Sequence, residues 1–135
     1  MRVVLSIGGA GRDLALTIRA ILAAQAAGVA REIIAGRWLP SLYRSGVAFR
    51  PEATRGQGVE YFDDPWTVLK RGYGDCDDLV VWRAGELVAA GEPAGVVCMG
   101  AAQFTIPRYH VAVRRADGSL EDPSKVLIRL NGRLP

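Results

Sequence analysis

Apolar side chains recur at helical spacing in the first third of the chain. They fall on one face of a helix, at Leu14, Ile18, Ile21, Leu22 and Ala26. This spacing predicts a helix that begins near Arg12 and is closed by Gly28, followed by a second short helix over residues 30–35. An apolar run at residues 2–7 precedes them and predicts a strand.

Two further helices begin at aspartates that can cap them. Asp64 precedes Pro65, and because proline suits the first turn of a helix, a helix is predicted over residues 65–70, ending at Gly72. Asp75 can cap the clearest helix of the chain, over residues 75–90. The inward stripe of that helix consists of Val80, Ala84, Leu87 and Val88.

The last third of the chain has the pattern of strands. Three are predicted, over residues 95–99, 109–114 and 120–122, and Ala116-Asp117-Gly118 between the last two indicates a hairpin. Helices followed by an antiparallel meander predict an α+β fold. At 135 residues the chain is expected to form a single domain, 1–135.

Composition and charge limit the class of protein. Half of the residues are hydrophobic, which excludes a disordered tail. The 17 basic and 14 acidic residues leave a net charge of +3 and are mixed along the chain, so neither a nucleic acid nor a membrane is expected as a partner. The longest apolar stretch is interrupted by Arg19 and Gln25, which argues against a bilayer span.

Two cysteines are too few for a disulfide framework, which favours a reducing compartment. The apolar run at the N-terminus is too short for a signal peptide. The expected location is the cytoplasm of the cell that makes the protein.

Residues 72–79, Gly-Tyr-Gly-Asp-Cys-Asp-Asp-Leu, place Cys76 in the first turn of a predicted helix. The N–H groups at that end favour a thiolate and can receive the oxyanion of a tetrahedral intermediate. The competing interpretation is a small buried hydrophobic residue, the commonest role of a free cysteine. Aspartates at positions 75, 77 and 78 oppose a thiolate there, so an activating base must come from elsewhere in the chain.

His110 is the single histidine of the sequence and therefore the one candidate for that base. It lies in a predicted strand and shares a face with Ala112 and Arg114, where a structural role is the alternative. Asp122 follows across the predicted hairpin as a carboxylate that could orient the imidazole.

The loop of the hairpin decides whether Asp122 faces His110. A two-residue turn pairs Asp122 with Val113 and directs its side chain away from His110. A three-residue loop with Gly118 in the left-handed region pairs Asp122 with Ala112 and puts it on the His110 face. The sequence permits both loops, and a functional pair requires the second.

The order of these three residues resembles the transglutaminase-like branch of the papain-like cysteine fold, and within it small phage and prophage proteins. The matching stretch covers residues 66–124. Its motifs are Gly74-Asp75-Cys76-Asp77-Asp78-Leu79, Trp82-Arg83-Ala84, Tyr109-His110-Val111 and Glu121-Asp122-Pro123-Ser124. The chain departs from large transglutaminases in lacking their β-sandwich and barrel domains.

This resemblance implies that Cys76 is a nucleophile, His110 a general base and then acid, and Asp122 the group that orients the imidazole. It also implies a helix packed on an antiparallel sheet. The expected function is a phage-type cysteine hydrolase or peptidase acting on an amide, isopeptide or ester carbonyl through an acyl-enzyme. The alternative is a catalytically silent structural or adaptor module of a virion. The partners implied are a peptide or polymer substrate and other phage structural proteins, with association with the virion left open.

The backbone N–H of Cys76 is one candidate oxyanion donor, and Trp66 or Gln57 could supply a second. Trp66 is equally well interpreted as a core anchor. Cys76, Cys98, His110 and Asp122 are all residue types that bind zinc, but no pair has a short chelating spacing. No metal or other cofactor is therefore expected.

Overall fold

The computed structural model describes residues 2–6, 11–51, 59–99 and 110–135. Its helices are α1 Gly11–Ile34, α2 Pro65–Arg71, α3 Cys76–Ala89 and α4 Pro123–Asn131, with a short 3-10 helix at Leu42–Arg44. Its strands are β1 Arg2–Ser6, β2 Ala48–Phe49, β3 Val59–Asp63, β4 Tyr73–Gly74, β5 Gly95–Met99, β6 His110–Arg114 and β7 Leu120–Glu121. The mixture of helices and strands confirms the α+β prediction.

The strands form three small sheets. β5, β6 and β7 form an antiparallel meander in that order, as the sequence predicts. β1 pairs antiparallel with β3, and β2 pairs parallel with β4. Of these, β3 and β4 carry no clear local signal, and the sequence does not predict them. The start of the predicted strand at Tyr109 lies outside the described residues.

Helix α3 lies at the centre of the molecule, with a hydrophobic cluster on each side. The larger cluster joins α3 to α1, β5 and β6, with Val80, Ala84, Val96, Val111 and Val113 among its buried residues. The smaller cluster, around the fully buried Trp82, joins α3 to α2, α4 and the 3-10 helix. This arrangement is the helix on an antiparallel sheet that the resemblance implies. Val80, Ala84 and Leu87 of the predicted stripe are buried, but the prediction is wrong for Val88, which is exposed.

Helix α1 is longer than the pattern predicts. Gly28 does not end it, and the short helix expected over residues 30–35 is its last turns. Val29 and Ala30 are buried on the stripe that faces α3, and this packing outweighs the cost of about 1 kcal/mol for a glycine within a helix. Among the described residues, α1 is the one helix long and apolar enough to cross a bilayer, a property that core helices share.

The remaining helix boundaries follow the caps. Asp64 accepts a hydrogen bond from the Thr67 N–H, and α2 ends at Gly72 with φ of +89°, so both predicted ends are confirmed. The strand predicted over residues 120–122 is wrong at its end. Asp122 instead caps α4, a helix that the sequence analysis does not predict.

Candidate active site

Cys76 is the first residue of α3, directly after the cap residue Asp75. The Asp75 carboxylate accepts from the Asp78 N–H, and the Asp78 carboxylate accepts from the Asp75 N–H, which completes a capping box. The cap predicted at Asp75 is thereby confirmed. Cys76 lies at the positive end of the helix dipole, where a thiolate is favoured. Its side chain is only 5% exposed, and Sγ lies 3.9 Å from Oδ1 of the buried Asp77.

A buried polar cluster joins this helix end to β3 and α2. Asp78 accepts from the Asp63 N–H at 3.0 Å and from Arg71 Nη2 at 2.9 Å. Arg71 Nη1 also binds Asp63 at 2.5 Å. Burial and the neighbouring charge of Asp75 raise the pKa of Asp78 well above its usual value. The aspartates predicted to cap α3 therefore also fix its N-terminus against the rest of the chain.

His110 and Asp122 form a hydrogen-bonded pair. Nε2 of His110 lies 2.6 Å from Oδ2 of Asp122, while Oδ1 of Asp122 accepts from the Ser124 N–H at 3.1 Å. Burial raises the pKa of Asp122, but the hydrogen bond and charge of His110 outweigh burial and lower it overall. Because Nε2 is engaged with a carboxylate, Nδ1 is the ring nitrogen left to exchange a proton.

The hairpin between β6 and β7 has the three-residue loop. Val113 lies opposite Glu121, the Arg115 N–H donates to the Ser119 carbonyl at 2.8 Å, and Gly118 has φ of +86°. The two-residue alternative would pair Val113 with Asp122 and is wrong. The register that a functional His110–Asp122 pair requires is confirmed.

Cys76 and His110 lie at the same end of two elements that run side by side. The middle of α3 is tied to the hairpin, because Arg83 Nε binds Glu121 at 2.6 Å and Glu121 lies opposite Val113. From Arg83 back to Cys76 is about 10 Å at 1.5 Å per residue, and from Val113 back to His110 is about 10 Å at 3.4 Å per residue.

A second ion pair shows that α3 and β6 run in the same direction. Arg115, just after β6, binds Glu92, just after α3, at 2.7 Å. The C-terminal ends of α3 and β6 are therefore adjacent, and Cys76 and His110 are the first residues at the other ends of these two elements.

Side chains along β6 alternate between the two faces of the sheet, and this alternation sets the face on which His110 lies. Val111 and Val113 face α1 and α3 in the core, so His110 shares the other face with Ala112. Met99 of β5 lies opposite His110, so the imidazole stands on the face of the sheet that is turned away from α1 and α3. The contact between the Cys76 thiol and the His110 imidazole stays a prediction.

The two candidates for a second oxyanion donor have different outcomes. The indole N–H of Trp66 donates to the Trp38 carbonyl at 2.7 Å, and the Arg37 guanidinium lies 3.8 Å from the centroid of its ring. This indole is therefore engaged as an anchor between α2 and the segment after α1, rather than directed at a reacting carbonyl. Gln57 lies outside the described residues.

Cys98, the other thiol, is half-buried on β5. Its Sγ donates to the Ala15 carbonyl at 3.4 Å, and burial together with the charge of Asp77 raises the pKa of Cys98 to about 11. Neither Cys76 nor Cys98 is part of a disulfide bond. Within the part of the chain that the structure describes, no three histidine, cysteine or acidic side chains form a group able to hold a metal ion.

A polar network beside the His110–Asp122 pair is not predicted by any pattern in the sequence. Glu121 accepts hydrogen bonds from Tyr43 Oη at 2.5 Å, Arg83 Nε at 2.6 Å and Arg115 Nη1 at 2.7 Å. These side chains come from separate elements, so no local pattern could have brought them together. The network anchors β7 directly before Asp122.

Comparison of the chain with protein-family models, with curated proteins and with solved structures gives no match.

Proposed function

We propose that this protein is a single-domain cysteine enzyme that attacks an amide, isopeptide or ester carbonyl and forms an acyl-enzyme. The observation that carries the proposal is the His110–Asp122 pair, 2.6 Å apart, in a chain whose helix α3 begins with Cys76. Nucleophilic catalysis needs a thiol at a helix N-terminus and a histidine with one ring nitrogen on a carboxylate and the other available.

Each residue has a defined role in the proposed reaction. Nδ1 of His110 takes the proton of the Cys76 thiol, and the thiolate attacks the carbonyl carbon, so that a sulfur–carbon bond forms. The first backbone N–H groups of α3 stabilise the oxyanion. The imidazolium returns the proton to the leaving nitrogen or oxygen as its bond to carbon breaks, and Asp122 stabilises the imidazolium throughout. Water then attacks the thioester and releases the acid and the free thiol.

A second candidate function is a catalytically silent structural or adaptor module, such as a virion component. The burial of Cys76, 5% exposed and beside the buried Asp77, favours it. A carboxylate next to a thiol disfavours the thiolate that catalysis requires. Under this alternative the same fold serves a binding partner and the His110–Asp122 pair is structural.

Alkylation of the two free thiols distinguishes the two functions. Intact-mass measurement during reaction with iodoacetamide is expected to show faster modification of Cys76 than of Cys98, whose raised pKa makes it the internal control. In His110→Ala the rate at Cys76 should fall to that at Cys98, with the far-ultraviolet circular dichroism unchanged. Equal, slow modification of both thiols in the wild-type protein would support the silent module and reject the enzyme.

A further inference from the structure

A groove of about 380 Å³ lies directly beside the His110–Asp122 pair. One wall is the outer face of the β5–β7 sheet and the other is the exposed side of α4. Its apolar residues include Met99 and Leu120, which are 43% and 52% exposed. An exposed apolar patch rimmed by polar residues is typical of a surface that another molecule covers.

The groove opens on the same face of the sheet as His110. Met99 lies opposite His110 in the β5–β6 register, and Ala112, which lines the groove, follows His110 at the spacing that keeps both on one face. Asp122 lines the groove as well. A chain lying in this groove would therefore pass next to the imidazole.

The charges that remain available in the groove are positive. Asp122 is engaged by His110, and Glu121 by Tyr43, Arg83 and Arg115. Lys125 and Arg129, by contrast, are exposed and lie four residues apart, on one face of α4. Within residues 2–6, 11–51, 59–99 and 110–135, neither cation forms an ion pair with an acidic side chain, and the charge of Lys125 helps to lower the pKa of Asp122.

We propose that this groove docks an extended peptide segment that has an internal aspartate or glutamate next to an apolar side chain. The apolar side chain covers Met99 and Leu120, and the carboxylate pairs with Lys125 and Arg129. The inference goes beyond the proposed function, because the groove lies on the face of the sheet turned away from α3 and Cys76. The groove and its charges stand independently of turnover.

Binding can be measured without turnover in the Cys76→Ala protein. The probe is the pentapeptide Ala-Glu-Leu-Glu-Ala, acetylated and amidated so that its ends carry no charge, and the control replaces both glutamates by glutamine. In isothermal titration calorimetry at low salt, the acidic peptide should bind about two- to thirtyfold more tightly than the control, because it alone can form two ion pairs of the strength usual for exposed side chains. Added salt should reduce the difference.

Reversing the charges of Lys125 and Arg129 on α4 tests whether the acidic peptide binds in this groove. In Lys125→Glu/Arg129→Glu the preference for the acidic peptide should be lost or inverted, whereas Arg31→Glu, an exposed cation on α1, should leave it unchanged. Equal affinity for both peptides, or the same loss in Arg31→Glu, would overturn the groove proposal.

The two proposals fail separately. Fast alkylation of Cys76 together with equal affinity for the two peptides would reject the groove and leave the enzyme. Preferential binding of the acidic peptide with slow, equal alkylation of both cysteines would reject the enzyme and leave the groove as a peptide-docking site.

Discussion

Gly85 of α3 lies so close to Val29 of α1 that a β-carbon at position 85 would be 2.6 Å from Val29 Cγ1 and 3.1 Å from the Ala26 carbonyl oxygen. Both distances are shorter than van der Waals contact allows, so the approach of the two central helices depends on the absence of a side chain here. Because α3 carries Cys76 at its first residue, this contact also helps to set where the candidate nucleophile lies.

We expect Gly85→Ala to lower the free energy of unfolding by about 1–3 kcal/mol, because overpacking of a close contact outweighs the better helix propensity of alanine. Urea unfolding followed by circular dichroism measures the change. The matched control is Gly28→Ala in α1, where the nearest atom to an added β-carbon is Arg31 Nη2 at 3.7 Å. That variant should be as stable as the wild type or gain up to about 1 kcal/mol. Equal stability of the two variants would contradict the packing argument.

Glu121→Gln should destabilise the protein by about 1–3 kcal/mol. The Glu121 carboxylate accepts hydrogen bonds from Tyr43, Arg83 and Arg115, and a glutamine would turn an amide N–H toward the two guanidinium groups. The same unfolding experiment measures the loss. Glu92→Gln removes a carboxylate that pairs with Arg115 at the surface, and little change is expected there. A Glu121→Gln protein as stable as Glu92→Gln would show that the network contributes no net stability.

Local signals predict the parts of the fold that depend on neighbouring residues. Asp64-Pro65 and Asp75 mark the starts of α2 and α3, because a cap acts within a few residues of itself. The same Asp-Pro signal occurs at Asp122-Pro123 and marks α4 equally well. The sequence interpretation assigns Asp122 to a strand and to His110, and therefore misses the helix that begins after it. In the structure Asp122 has both roles, because one carboxylate oxygen caps α4 and the other binds His110.

Contacts between segments that are far apart in the chain cannot be predicted from the sequence. The continuation of α1 past Gly28 depends on packing against α3, and the Glu121 network depends on elements brought together by the whole fold. The hairpin register can be predicted in part. The sequence allows a two-residue or a three-residue loop, and in the structure Gly118 in the left-handed region forms the three-residue loop. The candidate nucleophile and base can be identified from sequence because a cysteine directly after a helix cap and a single histidine are visible without the fold.

The lowered pKa of Asp122 predicts a stabilisation that disappears in acid. A carboxyl whose folded pKa is below its unfolded value of about 3.9 stabilises the folded protein fully above that pH, and the effect is lost as the pH falls through the folded pKa. Wild type should therefore be more stable than Asp122→Asn at neutral pH, and the gap should narrow as the pH falls below the unfolded value of about 3.9. Asp78, whose raised pKa acts in the opposite direction, is present in both proteins and cancels in the difference. A gap that stays constant between neutral and acid pH would show that the charge of Asp122 contributes nothing.

Comparing asparagine with alanine at position 122 separates the two roles of this side chain. Asparagine keeps an oxygen that can cap α4 but cannot stabilise an imidazolium as a carboxylate does, whereas alanine removes both functions. We expect Asp122→Ala to be less stable than Asp122→Asn by about 1 kcal/mol, the usual value of an N-cap. Alkylation of Cys76 should slow to a similar extent in both variants, by about tenfold or more, because both lose the charge that supports the base. Modification of Cys76 at the wild-type rate in Asp122→Asn would reduce the His110–Asp122 pair to a structural contact at the start of α4.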